Sequence, residues 1–183
     1  MKVFYRYAFL LLMLFVFPLA ACAPQQTIRP GENIGLAAFT DTVNQVGVTI
    51  RLGLGLHGEA MLIASFTPPA GYHLYSKDIP LGGVRGQGRP TLIELPPGSQ
   101  MQAAGALTES AAAGLPGYNP DGPAVYPDGP VTLTLPVRLP NRSGWVEDQV
   151  SLTYMPCTAL NCKTPVVGRL VAVRIPGALL VSP

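Results

Sequence analysis

Near the end of the chain, Cys157 and Cys162 stand in the stretch TYMPCTALNCKTP, residues 153–165. Two thiols with four residues between them can do three kinds of chemistry. They can close a structural disulfide, cycle between disulfide and dithiol, or supply half of a metal site. As a staple the pair gains little: a closed loop of about six residues is worth only about 2 kcal/mol in the chain-entropy model, less than a bridge between distant strands. That arithmetic weakens the staple without removing it. Tetrahedral zinc needs two further ligands, and the only histidines, His57 and His73, lie far off in sequence and in no ligand-spaced motif. No metal and no other cofactor is therefore expected. The pair is not Cys-x-x-Cys at a helix start, so the thioredoxin arrangement does not apply. No nucleophile, base and orienter suggest a hydrolase.

The compartment bears on the choice. Lys2 and Arg6 flank the start of an almost unbroken apolar run, Phe9 to Pro18, followed by Leu19-Ala20-Ala21-Cys22. A charged start, a short apolar core and small residues before a cleavage point describe a secretory signal peptide. The run falls short of the about 20 apolar residues a spanning helix needs. Leu-Ala-Ala-Cys also resembles the lipobox of bacterial lipoproteins. That resemblance implies loss of residues 1–21 and acylation of Cys22 on its thiol and its new amino group. Several acyl chains on one residue anchor a protein stably, whereas one is marginal. Ala23 stands where an inner-membrane retention signal would place Asp. The expectation is a periplasm-facing lipoprotein of the bacterial envelope, at the outer rather than the inner membrane. In that oxidising setting Cys157 and Cys162 are expected to be disulfide-bonded at least part of the time.

Charge excludes one class of partner. Lys2 and Arg6 leave with the signal, so ten of the twelve Lys and Arg remain against ten Asp and Glu. Nucleic acid is not expected to bind, because phosphate recognition needs clustered cations.

The elements that must position the cysteines read as strands. Twenty Gly and twenty Pro suit a turn-rich β-protein rather than a helical bundle. Residues 22–42 read as a flexible tether from Cys22, and 43–177 as the folded domain, with 178–183 a tail. Val46, Val48, Ile50 and Leu52 alternate as in a half-buried strand, and Ala60 to Phe66 reads as one buried on both sides. Tyr72 to Ser76 is extended and Thr91 to Leu95 is short. Val131 to Val137, Val150 to Tyr154 and Val167 to Ile175 complete about seven strands. These add up to an all-β, immunoglobulin-like antiparallel β-sandwich with one long Gly/Pro-rich loop. That loop, 99–130, opens with an alanine-rich half (QAAGALTESAAAG) that has room for a helical turn or two. It continues with Asn119-Pro-Asp-Gly-Pro123 and Tyr126-Pro-Asp-Gly-Pro130, which is turn chemistry. A loop this long is either a functional lid or a disordered insertion.

Taken in order, Gly71-Tyr72-His73-Leu74-Tyr75, Ile93-Glu94-Leu95-Pro96-Pro97-Gly98, Leu133-Thr134-Leu135-Pro136-Val137 and Val150 to Pro165 resemble one family. The set is similar to the amino-terminal periplasmic domain of the thiol:disulfide interchange protein DsbD, over roughly residues 44–176. The resemblance implies a redox-active Cys157–Cys162 pair at a strand end, with Tyr72 and Tyr75 in an aromatic segment that shields it. It implies a lid within about 107–127. It also implies thioredoxin-like periplasmic partners, with a separate membrane protein as electron donor. Lys163 can favour the Cys162 thiolate or stand as a solvated cation. The expectation is a lipid-anchored thiol–disulfide exchange module. The alternative is a non-catalytic envelope lipoprotein with a binding or assembly domain and a structural disulfide.

Overall fold

In a computed structural model, residues 33–55 and 59–178 are described. Residues 1–21, expected to be a signal peptide, together with Cys22, His57 and the 178–183 tail beyond Ala178, lie outside the described residues. The strands are β1 (Asn33–Thr40), β2 (Gly47–Leu54), β3 (Ala60–Thr67), β4 (Leu92–Glu94), β5 (Gln102–Ala103), β6 (Thr108–Glu109), β7 (Val131–Arg138), β8 (Trp145–Tyr154) and β9 (Val166–Pro176). One sheet runs β1-β2-β3-β7-β5, with β6 also on β7; the other runs β4-β8-β9. Every named pairing is antiparallel. The protein is an all-β sandwich of the immunoglobulin-like kind.

Alternation builds the core. Val48, Ile50 and Leu52 on β2 face Leu62, Ala64 and Phe66 on β3, all at most 1% exposed. Val150, Leu152 and Tyr154 close the layer from β8. The outer face of β3 is only half-buried, so the Ala60–Phe66 run is covered fully on one side rather than on both.

Two further expectations change. Asn33–Thr40, read as tether, is the edge strand β1, paired with β2 from Asn33↔Gly53 to Thr40↔Gly47. The folded unit thus begins within the stretch 22–42. The alanine-rich start of the 99–130 loop forms no helix; it supplies β5 and β6, laid end to end along β7. Pro136 explains the break between them. Its carbonyl accepts from Ala104 N at 2.8 Å, so its hydrogen-less nitrogen faces the same side and the ladder cannot continue there. Asp148 pins the approach to β5: one carboxylate oxygen accepts from Ser99 Oγ and from the N–H groups of Gln100 and Met101 at 3.0–3.1 Å.

Candidate functional site

The strand β8 runs into Pro156 and Cys157, and the chain then turns sharply back to Cys162. Thr158 builds the turn. Its hydroxyl accepts from the N–H of Leu160 and of Asn161, and its own N–H reaches Asn161 O at 2.7 Å. Lys163 N donates to Pro156 O at 3.0 Å, so Cys157 and Cys162 face one another directly across a miniature antiparallel ladder. They occupy the narrow, non-hydrogen-bonded position of that ladder. The Cα atoms are 4.0 Å apart and the sulfurs are bonded. The two sulfurs are unequal in access: Cys157 is 0% exposed, while Cys162 is an exposed residue.

The segment Tyr72–Tyr75 flanks the pair on the other side. His73 and Cys157 exchange both backbone hydrogen bonds, at 2.9 and 3.0 Å. Alternation then sorts the side chains. Leu74 points into the sandwich core, while His73 and Tyr75 share the cysteine face. The Tyr75 hydroxyl lies 3.8 Å from Cys162 Sγ, and its ring meets the His73 ring edge-on at 5.4 Å. Tyr75 therefore stands against the Cys162 sulfur. Tyr72 does not; its ring lies under the Lys163 ammonium, 5.1 Å away. That ammonium also donates to Gln45 Oε1 at 3.0 Å, so Lys163 is engaged with Tyr72 and the β1–β2 turn.

Two loops complete the site. Val84 and Gln87 bond reciprocally around Arg85 and Gly86, both at positive φ, a tight two-residue hairpin of type I′ character. Gly88 follows at φ 77°, where a Cβ would sit 3.1 Å from the Tyr75 ring. The long excursion 99–130 folds back over the cysteines. It is held by the Gly114–Val125 pair, by Ser76 N on Ala124 O, and by Tyr126 N on Leu74 O. Its tip carries Tyr118, whose hydroxyl lies 3.3 Å from His73 Nε2. Arg85 Nη2 donates to Asp121 O and joins the two loops. Between them opens a pocket of about 430 Å³ bordered by Cys162, Tyr75, Tyr118, Leu160 and Met155, with no charged residue in its lining.

Burial dominates the electrostatics. It lowers the His73 pKa below the ordinary 6.5, against an opposing pull from Asp128, and raises those of Tyr75 and Tyr118. All three shifts favour the neutral side chain at neutral pH. Just beyond it, Asp41 at the β1–β2 turn receives Arg169 at 2.7 Å and the N–H groups of Val43 and Asn44. Burial alone would raise its pKa, but these backbone bonds and Arg169 hold it below the ordinary value. Tyr154, buried beside it, is pushed up to about 12. Among the described residues, no cluster of three His, Cys, Asp or Glu could hold a metal ion.

The sequence singled out Cys157, Cys162 and Tyr75, and the fold brings these three side chains together. His73 and Tyr118 it passed over as site residues. The signal for His73 was present in the period of two that pairs it with Tyr75; for Tyr118 there was none, because its place depends on how the long loop returns.

No family model matches the sequence, and no curated protein matches it. Among solved structures, the chain is similar to the crystal structure of the Neisseria meningitidis DsbD N-terminal domain in the reduced form. Identity is 14%, the TM-score is 0.39, and the match covers 63% of this chain and 76% of that one. A likeness this slight says nothing by itself about chemistry, which has to be argued from the residues.

Proposed function

We propose that this protein is a thiol–disulfide exchange module working through Cys157 and Cys162. One observation carries the reading. The two cysteines are held opposite each other by backbone hydrogen bonds and by Thr158, none of which involves the sulfurs. Opening the disulfide thus leaves both thiols in register, ready to close again. A bridge needed for stability would instead hold together parts that otherwise separate.

The unequal access assigns the order of events. A partner thiolate attacks the Cys162 sulfur, the S–S bond breaks, and Cys157 leaves with the electron pair. The partner's second thiolate then attacks its own sulfur in the mixed disulfide and releases Cys162. Two electrons pass from the partner dithiol to the pair, and two protons end on Cys157 and Cys162. The reverse sequence reduces a partner disulfide. The uncharged pocket beside Cys162, with Leu160 90% exposed at its rim, suits an apolar protein surface around the partner's cysteine. Thioredoxin-like proteins are the class of partner we propose, with a separate membrane protein as electron source. We propose further that the module is held on a bilayer through an acylated Cys22 and faces the periplasm, with the lipobox-like Leu19-Ala20-Ala21-Cys22 in support and Ala23 favouring the outer membrane.

The test is trapping in cells. The Cys157→Ser variant, which keeps Cys162, is expected to accumulate mixed disulfides, and Cys162→Ser to accumulate few. If neither variant traps a protein and the folded wild type resists dithiothreitol, the chain is instead a binding lipoprotein with a structural disulfide. Radiolabelled palmitate is expected to enter the wild type and not Cys22→Ser.

A further inference from the structure

Opening the disulfide as described expels a sulfur into a closed space, and the fold sets a titratable side chain beside it. We propose that His73 handles the proton of the Cys157 sulfur during exchange, and that Tyr118 fixes the imidazole for that transfer. The inference rests on the exchange reading given above.

The backbone places the two groups. Residues that exchange both hydrogen bonds of an antiparallel pair stand directly opposite, with side chains on one face and Cβ atoms about 5.5 Å apart. His73 and Cys157 are such a pair, and Cys162 is next in the same row. His73 is 8% exposed and Cys157 0%, so water has little part in what passes between them. Tyr118 selects the tautomer. When its hydroxyl donates to Nε2, the ring proton resides on Nδ1. Tyr118 makes the one side-chain hydrogen bond that the His73 ring forms among the described residues.

The chemistry supplies the need. Attack on Cys162 leaves an electron pair on a sulfur that burial keeps from hydration, and an unsolvated thiolate is a poor leaving group. A neutral His73 answers with a hydrogen bond from Nδ1. A protonated His73 transfers the proton outright, leaving neutral imidazole and a Cys157 thiol. In the reverse direction the imidazole removes that proton as Cys157 attacks the mixed disulfide. Other groups facing His73 are Tyr75, Tyr118 and Asp128. The two tyrosines have raised pKa values and stay neutral, and Asp128 favours the imidazolium. Lys163, the cation next in sequence to Cys162, is held by Tyr72 and Gln45.

The experiment is the rate of reduction by dithiothreitol between about pH 5 and 8, divided by the concentration of its thiolate. The wild-type rate constant is expected to rise toward acid with a midpoint below 6.5. In His73→Gln it is expected to be flat with pH and slower by about a hundredfold, the low end of what a positioned proton donor contributes. Tyr118→Phe removes a bond to the neutral ring and is expected to move the midpoint upward. A folded His73→Gln that exchanges with the wild-type pH profile overturns the role of His73 and leaves the exchange reading standing. A wild-type disulfide that dithiothreitol cannot open at any pH overturns both. Should His73→Gln fail to fold, the wild type decides: its histidine ring resonances are titrated by NMR in the oxidised and reduced states. Reduction is expected to move the His73 midpoint, and an unmoved midpoint overturns the proposal.

Discussion

Asp41 ties the cysteine end of the sandwich together through one carboxylate. It accepts two backbone N–H groups of its own turn, the Arg169 guanidinium and, at 3.4 Å, the Tyr154 hydroxyl. Hydrogen bonds to a charged group are worth about 1.5–3 kcal/mol when buried, so Asp41→Ala is expected to cost about 2 kcal/mol in denaturant unfolding. The pH dependence follows from the sign of the shift. The folded pKa lies below the ordinary 3.8, so the contribution is complete above 3.8 and is lost as pH falls below it. Asp41→Ala is expected to flatten that acid limb of the stability curve, which thermal melts at pH 2–5 would register. At this scale the cysteines were legible, because two thiols only five positions apart have few uses. His73 was not, since its partner lies 84 positions away and only the pairing of two backbones reveals it.

The site is carried by elements too short to leave a strong periodic trace. In the Cys157–Cys162 turn, Thr158 does the holding. Thr158→Val removes an acceptor for two N–H groups and is expected to cost about 1 kcal/mol in the reduced protein. The cost in the oxidised protein is expected to be smaller, where the S–S bond holds the same turn; melting both forms measures the difference. In the 84–88 hairpin, Gly88→Ala is strained twice, by a left-handed φ and by contact with the Tyr75 ring. About 1–2 kcal/mol of destabilisation is expected from the backbone alone. Displacement of Tyr75 is expected to make Cys162 react faster with dithiothreitol, against an unchanged rate if Tyr75 does not shield it. The edge strand β1 shows why an element can be missed. Its pairing slips between Gly35 and Ala37, a bulge that breaks the alternation, and only one side of the strand has a partner. A half-buried, bulged strand looks in sequence like a polar linker.

For the whole molecule, the sandwich core and the disulfide are nearly independent. The hydrophobic cluster is built mainly from β2, β3, β7, β8 and β9; Cys157 is fully buried but stands outside that cluster, and Cys162 is exposed. Replacing both Cys157 and Cys162 by Ser is therefore expected to leave the far-ultraviolet circular dichroism unchanged and to cost no more than about 2 kcal/mol, the loop-closure value for so short a bridge. A loss of several kcal/mol, or unfolding, would make the bridge a structural necessity. The same independence lets the exposed sulfur be attacked without loosening the scaffold.

What the sequence determined by itself was local: alternation of apolar residues for the long strands, Pro and Gly between them, and two thiols close enough to bond. Those signals arise from the chain's own period and short-range sterics, and the sandwich follows from burying the faces they define. The meeting of Tyr118, His73 and Tyr75 at the cysteines was decided only by tertiary structure. Three segments far apart in sequence converge there through backbone bonds and loop returns, and no residue in any one of them encodes the distance to the others.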